Sequence, residues 1–174
     1  MLFRSFRSLG EYQKAKEYHE KALAIAIEIG DRKEEGTTYG NLGSVFYSLG
    51  EYQKAKEYYE KALAIAIEIG HRKGEGAINR KIGDIFNSLG EYQKAKEYYE
   101  KALAIRTETG EGKEQEYLNL GIVYGQLRKY RRAKEYLEKV VRISIASGDR
   151  TLEAHATGSL AAVFAAVKDR KSVV

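Results

Sequence analysis

The sequence LGEYQKAKEYHEKALAIAIEIG, residues Leu9–Gly30, decides how the rest of the chain is organised. It recurs at Leu49–Gly70 with a single change, His19 becoming Tyr59, and the first seventeen residues of that second copy recur at Leu89–Ile105. Copies spaced 40 residues apart indicate a protein built from one repeated supersecondary unit. Such a chain buries its core locally, between neighbouring units.

The composition excludes some classes of site. Among the 174 residues there is no Cys, which excludes disulfides, thiolate metal sites and thiol nucleophiles. The net charge of +5 comes from 30 basic and 25 acidic residues, so the signs are mixed and give little support to a nucleic-acid partner. No apolar run approaches the roughly 20 residues needed to span a bilayer, and the start does not read as a signal sequence. We therefore predict a cytoplasmic protein.

The second copy carries the pattern of an amphipathic helix. Its apolar residues fall three or four positions apart and share one helix face, while lysines and glutamates occupy the other face. Gly70 follows the last apolar residue, where a left-handed cap suits glycine, and Gly30, Gly110 and Gly148 hold the same place elsewhere. The pattern predicts a helix over Glu51–Ile69.

The segments between these helices have an apolar stripe of their own, which predicts a first helix in each unit. One such helix begins near Asp31, which has capping-box spacing to Glu34, and Asp149 is a second predicted N-cap. Each unit is therefore predicted to be two antiparallel helices joined by a Leu-Gly-Glu turn. The residues predicted at these turns are Gly10, Gly50, Gly90 and, in the fourth unit, Arg128.

The two helices together resemble the tetratricopeptide repeat, in which small residues permit close helix contact and large ones fill the gaps. The matching residues are Tyr39, Leu42, Gly43 and Phe46 on a first helix, then Ala55, Tyr59 and Ala62 on the second. The same spacing returns from Asn79 and from Tyr117, and a last first helix carries it from Thr157. The 40-residue form without Pro is similar to the G-protein-signalling-modulator spindle-orientation adaptors and, more distantly, to kinesin light chains.

The resemblance implies an all-α fold, a right-handed α-solenoid of antiparallel helix pairs wound into a superhelix. We expect residues 1–174 to form a single array with a partial unit at 1–30, units at 31–70, 71–110 and 111–148, and a terminal helix at 149–167. The fourth unit is two residues shorter, and the loss lies around Gly110–Gln115. Natural arrays need capping units with a polar outer face. Both ends look cut, so we expect a fragment of a longer array.

The sequence offers no convergent set of catalytic groups. His19 has no second histidine at the spacing of a helical zinc site, and it occupies the packing position of Tyr59. Gly112-Lys113 lacks the upstream glycine and the following hydroxyl residue of a phosphate loop. We predict a protein that is not an enzyme and that holds no cofactor and no metal.

Fourteen tyrosines and a basic run leave nucleic-acid binding open as an alternative, because aromatic platforms beside cations bind single strands. The repeat spacing favours packing for eight of the tyrosines, and a solvated turn is the simpler interpretation of the basic run. The tyrosines are Tyr12, Tyr18, Tyr52, Tyr58, Tyr59, Tyr92, Tyr98 and Tyr99; the basic residues are Arg128, Lys129, Arg131, Arg132 and Lys134.

The resemblance places the concave wall of the solenoid mainly on first helices, and solenoids bind partners on such walls. First-helix residues outside the packing pattern differ from unit to unit, whereas the second helices are nearly identical, which favours a recognition role. The predicted peptide-groove residues are Thr37, Asn41, Ser44 and Tyr47, then Arg80, Lys81, Asp84 and Asn87, then Asn119, Ile122 and Gln126.

The predicted function is a protein-interaction scaffold that binds a peptide segment or helix of a partner in this groove. Asn41 and Asn119 stand where the spindle-adaptor family has groove asparagines, and an amide both donates to and accepts from a peptide backbone. Arg80 and Lys81 favour acidic residues in that partner. Two alternatives stay open: a structural array that self-associates through uncapped ends, and weak single-stranded nucleic-acid binding. No membrane partner is predicted.

Overall fold

The structure is a computed structural model that describes residues 2–172, with the side chains of residues 10–168. These residues form eight α-helices and contain no strand. The helices are α1 Leu2–Ile29, α2 Arg32–Ser48, α3 Tyr52–Glu68, α4 Arg72–Ser88, α5 Tyr92–Thr109, α6 Glu114–Gln126, α7 Tyr130–Ser147 and α8 Arg150–Ser172. The all-α class predicted from the sequence is confirmed.

The chain divides into two compact parts, residues 1–85 (the N-terminal part) and residues 86–174 (the C-terminal part). In the N-terminal part α2 packs against both α1 and α3. In the C-terminal part α6 packs against α5, α7 and α8, and α8 also packs against α7. The first helices α2 and α6 therefore each contact the second helix of their own pair and the second helix that precedes it.

Apart from Gly10, the predicted turns and helix caps are present in the structure. Asp31 Oδ1 accepts a 2.9 Å hydrogen bond from the backbone N–H of Glu34, and Asp149 Oδ1 accepts one of 2.9 Å from Leu152. Arg128 adopts a φ of +57°, in the left-handed region that the turn glycines Gly50 and Gly90 occupy at +75°. The predicted C-terminal caps also have positive φ, as glycine permits: Gly30, Gly70, Gly110 and Gly148.

The first helix differs from the prediction. The sequence predicts a turn at Gly10, but α1 continues through Gly10 without a break. Unlike Gly50 and Gly90, Gly10 does not adopt a positive φ, so the backbone has no turn there. The side chain of Phe6, which the repeat pattern matches with Phe46, lies outside the described residues.

The exposed rings of α1 also correct the packing prediction. Tyr18 and Tyr12 are predicted to pack, yet Tyr18 is 71% exposed and Tyr12 is 37% exposed. By contrast Tyr59 and Tyr99 are each 2% exposed, as predicted. Tyr18 is exposed because α1 has no first helix folded back along this face.

A stacked aromatic pair holds each complete helix pair together. The pairs are Phe46 on Tyr58 at 5.1 Å between ring centroids, Phe86 on Tyr98 at 5.4 Å, and Tyr124 on Tyr136 at 5.6 Å. Stacked rings at such distances add roughly 0.5–1.5 kcal/mol beyond the area that they bury. The same packing contact therefore recurs at one register of these three first helices.

Candidate functional site

A buried hydroxyl lies beneath the predicted groove residues of the N-terminal part. The hydroxyl oxygen of Tyr59 is 2.9 Å from Oγ of Ser44. Burial raises the pKa of Tyr59; the hydrogen bond with Ser44 lowers it, the charge of Asp84 raises it and that of Arg80 lowers it. The predicted residue Ser44 therefore contacts this hydroxyl, and the predicted residues Arg80 and Asp84 act on its pKa through their charges.

The positive charge of this face is smaller than the sequence suggests. Arg80 Nη1 lies 3.4 Å from Oδ2 of Asp84, and both side chains are 23% exposed. Lys81, on the same helix, is half-buried. The three side chains together carry one net positive charge, and the preference for an acidic partner stays a prediction.

The outer groove residues of the N-terminal part are accessible. Thr37 and Asn41 are exposed on α2, and the hydroxyl of Thr37 donates to the carbonyl of Lys33 over 2.9 Å. Tyr47 is half-buried, with its ring centroid 5.4 Å from that of Tyr52. A polar and aromatic surface of this kind can bind the backbone and side chains of a peptide.

A second, smaller groove lies between α2, α3 and α4 in the N-terminal part. It has a volume of about 170 Å³, and Thr37 is the predicted groove residue at its edge. Gly36 and Gly74 keep its walls open, and Ile65 and Ile69 give it an apolar floor.

The C-terminal part contains a cleft of about 510 Å³ between α6, α7 and α8, hereafter the α6–α8 cleft. Two predicted groove residues, Ile122 and Gln126, line it. The other lining residues are Gly121, Gly125, Arg128, Tyr130, Leu137, Ser159, Ala162, Val163 and Ala166. The predicted residue Asn119 is not among them; its Oδ1 accepts a 3.0 Å hydrogen bond from Gln115. Asn87, half-buried on α4, also lies outside this cleft.

At the α6–α8 cleft the chain lacks two rings that the unit at 31–70 carries. Leu137 stands at the register of Tyr59, and Gly125 stands at the register of Tyr47. A Cβ on Gly125 would be 3.6 Å from Val163 Cγ2, so a small side chain would fit without a clash. The volume that two phenol rings occupy in another unit is therefore open in this one.

Sequence reasoning missed two parts of this arrangement. Tyr59 reads as a packing residue, although its hydroxyl joins the polar face. Leu137 was counted as one of the residues that match the repeat in the copy from Tyr117, although it lines the cleft. The signal was the pair of departures from the repeat, Leu137 for Tyr59 and Gly125 for Tyr47, which fall on adjacent helices.

The basic run is partly neutralised by neighbouring carboxylates. Arg131 Nε lies 3.3 Å from Glu135 Oε1, and Lys134 Nζ lies 3.7 Å from Glu138 Oε1. Lys134 also lies over the ring of Phe164, 5.7 Å from its centroid. These contacts weaken the basis for the nucleic-acid alternative, which stays a prediction.

Within the part of the chain that the structure describes, no three histidine, aspartate or glutamate side chains are grouped so as to hold a metal ion. Among the same residues, no helix has the length and apolar character needed to cross a membrane.

Comparison with known protein families shows to which family the chain belongs. The family model described as "Tetratricopeptide repeat" matches residues 4–68 and 74–146. The chain belongs to the tetratricopeptide repeat family. Proteins of this family are generally interaction scaffolds and not enzymes.

Solved structures agree with this assignment. A kinesin light chain-like protein of Podospora anserina, with nearly identical repeats, is 22% identical with a TM-score of 0.75, and the match covers 98% of this chain and 86% of that one. BtubC of P. vanneervenii is 28% identical with a TM-score of 0.73, covering 80% and 59%. A Rap protein complexed with competence and sporulation factor is 19% identical with a TM-score of 0.77, covering 92% and 48%.

These similarities confirm the predicted fold class, an α-solenoid of antiparallel helix pairs. A comparison with curated protein sequences gave no match. The narrower resemblance to spindle-orientation adaptors stays a prediction, as do the unit boundaries.

Proposed function

We propose that this tetratricopeptide repeat chain is a scaffold that binds peptide segments of partner proteins on its first helices, with the α6–α8 cleft as an anchor for an apolar side chain. The observation that carries the proposal is the cleft itself, about 510 Å³ in volume and lined by the predicted residues Ile122 and Gln126. Ligand-binding clefts of proteins are mostly apolar, and a few polar groups of the protein fix the orientation of the ligand.

The lining of the cleft supports an aromatic or large aliphatic anchor. Ile122, Leu137 and Val163 give it apolar walls, while Gln126 and Arg128 stand at its edge. An amide at the edge can pair with a peptide backbone, and a guanidinium favours a carboxylate beside the anchor. The sequence class that fits is an apolar residue flanked by acidic ones.

The polar face of the N-terminal part suits a segment of the same kind. Asn41 stands where the spindle-adaptor family, which the sequence resembles, has a groove asparagine, and it is exposed. Arg80 with its partner Asp84 supplies a directed pair of charges. A Rap protein of similar fold has been solved in complex with competence and sporulation factor, which supports the proposal by analogy alone.

The test begins with selection of peptides from a phage-displayed random library on the immobilised chain, followed by fluorescence anisotropy with a labelled synthetic peptide. The double variant Gly125→Tyr with Leu137→Tyr introduces the two rings that the unit at 31–70 carries, and so closes the cleft. The matched control, Ala146→Tyr, adds the same ring at an exposed position of α7. Circular dichroism checks that helicity is unchanged in both variants.

We expect the closed-cleft variant to bind the selected peptide at least about tenfold more weakly, since one buried apolar side chain contributes on the order of 1.5–3 kcal/mol. The control should bind as the wild type does. Equal binding by the closed-cleft variant, or no peptide enriched above an empty surface, would refute the proposal.

A further inference from the structure

α1 and α8 each present one half of the stacked contact that joins two helices within a unit. Phe164 stands on α8 at the register of Phe46, yet it is 53% exposed, whereas Phe46 is 5% exposed. Tyr18 stands on α1 at the register of Tyr58 and is 71% exposed. In a complete unit, the rings at these two registers stack on each other. Here each ring is exposed on its own helix.

The position of one lysine shows which side of Phe164 is open. Lys134 of α7 lies 5.7 Å from the centroid of Phe164, and Lys16 of α1 lies 5.9 Å from that of Phe46. Both lysines come from the preceding second helix. Phe164 therefore already makes the contact that Phe46 makes with the helix before it, and its exposed side is the one that receives a following second helix.

A second pair of registers also differs from the repeat, with a larger residue on α8 and a smaller ring on α1. A Cβ on Gly43 would lie only 2.7 Å from Cδ1 of Tyr59, so that contact requires glycine. On α8 the same register holds Ala161, which is larger, and on α1 the register of Tyr59 holds His19, which has a smaller ring. In a pairing of α8 with α1, the methyl group of Ala161 would face an imidazole in place of a phenol ring.

A third pair follows the same pattern. Ile65 packs where a Cβ on Gly36 would be 2.9 Å from its Cγ2, and Ile65 is 4% exposed. On α1 the register of Ile65 holds Ile25, which is 57% exposed, and on α8 the register of Gly36 holds the small residue Ala154. Two helices that no turn connects can adjust their spacing by the few tenths of an ångström that the methyl group requires.

We propose that α8 of one copy of this chain packs antiparallel against α1 of a second copy, completing a helix pair with Phe164 stacked on the second copy's Tyr18. The same three contacts form, at registers 46–58, 43–59 and 36–65, that hold α2 to α3. Such a contact joins two different surfaces, so each added copy presents a fresh end and assembly continues head to tail.

The test is sedimentation velocity over a dilution series from micromolar to near-millimolar chain, with two single variants. Tyr18→Ser disables the α1 end and Phe164→Ser disables the α8 end; both residues are exposed, so neither substitution removes core packing. Ile67→Ser is the control, since Ile67 is an apolar residue 59% exposed on the outer face of α3.

The wild type and Ile67→Ser should form species that grow beyond the dimer as concentration rises. Each single variant should associate about tenfold more weakly, because removal of a buried ring costs on this scale. The decisive sample is an equimolar mixture of the two variants, which retains one intact interface and should stop at the dimer.

Three results would overturn the inference. The wild type could be a monomer throughout the series. The mixture could associate no better than the separate variants, which excludes pairing between α8 and α1. One variant could behave as the wild type while the other does not, which indicates a symmetric contact between like ends. None of these outcomes bears on peptide binding in the α6–α8 cleft.

Discussion

Arg106 donates from Nε to Oε1 of Glu116 over 2.8 Å, and the carboxylate side chain of Glu116 is fully buried. Arg106 stands at the register of Ala66 and Glu116 at that of Thr38, two small residues that are buried elsewhere in the array. The ion pair therefore replaces small packing residues where the chain loses two residues before α6.

Removal of one partner of this pair should be strongly destabilising. Arg106→Ala leaves the buried Glu116 carboxylate without its cation, and we expect a loss of about 3–5 kcal/mol in the free energy of unfolding. The double variant Arg106→Ala with Glu116→Thr copies the small residues of another unit. It should recover to within roughly 1–2 kcal/mol of the wild type, since small packed residues replace a buried ion pair at little cost.

Urea denaturation followed by circular dichroism measures both variants. If the single variant were as stable as the wild type, or if the double variant were worse than the single one, the ion pair would not be the element that compensates for the shortened connection.

Two glycines of α2 should respond to alanine with opposite signs. At Gly43 a Cβ would lie 2.7 Å from the ring of Tyr59, so Gly43→Ala forces the helices apart and should cost about 1–3 kcal/mol. At Gly40 nothing lies within 4 Å of a Cβ, so Gly40→Ala should stabilise by roughly 0.5–1 kcal/mol through lower entropy of the unfolded chain. The midpoints of urea unfolding give the comparison, and a loss of stability in both variants would contradict it.

The sequence predicts what depends on local chemistry and periodicity. The N-caps at Asp31 and Asp149 and the left-handed turn at Arg128 follow from residue type and register, and the structure has them. The continuous α1 was mispredicted because the turn at Gly10 was inferred from the repeat pattern alone, and the backbone there stays helical. The helix then continues through Gly10, because this glycine is not used as a left-handed turn residue and its neighbours favour a helix.

The candidate site is harder to predict because it depends on what neighbouring elements leave empty. Ile122 and Gln126 were found by exclusion from the packing pattern. To predict the cleft, one would have to combine the small side chains at Leu137 and Gly125, which lie on two different helices. Examination of one position at a time does not show that the two together leave a cleft. The Arg106–Glu116 ion pair was not predicted for the same reason, since its two residues lie on different helices.

Alkaline pH should destabilise the C-terminal part through Tyr124. Burial, and then the 2.9 Å hydrogen bond to Glu100, raise the pKa of Tyr124 to about 12. The unfolded tyrosine has a pKa of about 10, so between about pH 10 and 12 the unfolded state releases a proton that the folded state keeps. Stability from this group is complete below about pH 10 and is lost as pH rises through 12.

Tyr124→Phe should therefore show a smaller fall in urea midpoint between about pH 9 and 11.5 than the wild type, although it is about 1 kcal/mol less stable at neutral pH because it lacks the hydrogen bond. Tyr12→Phe, at an exposed ring, is the matched control and should follow the wild-type profile. Parallel profiles for Tyr124→Phe and the wild type would contradict the assignment.

Charge at Arg80 should set the preference of the N-terminal part for acidic segments. Arg80 lies 3.4 Å from Asp84 and acts on the pKa of the buried hydroxyl of Tyr59. The substitution Arg80→Glu therefore places two carboxylates together and reverses the sign of the net charge of this face.

A pair of synthetic peptides that differ only in Asp against Asn measures the effect. The wild type should bind the Asp peptide several-fold more tightly, and the difference should shrink as salt screens it. Arg80→Glu should lose or invert that preference, while Lys14→Glu makes the same change of charge at an exposed site of α1 and should keep it. Equal effects of the two substitutions would mean that net charge, and not the Arg80 face, governs the choice of partner.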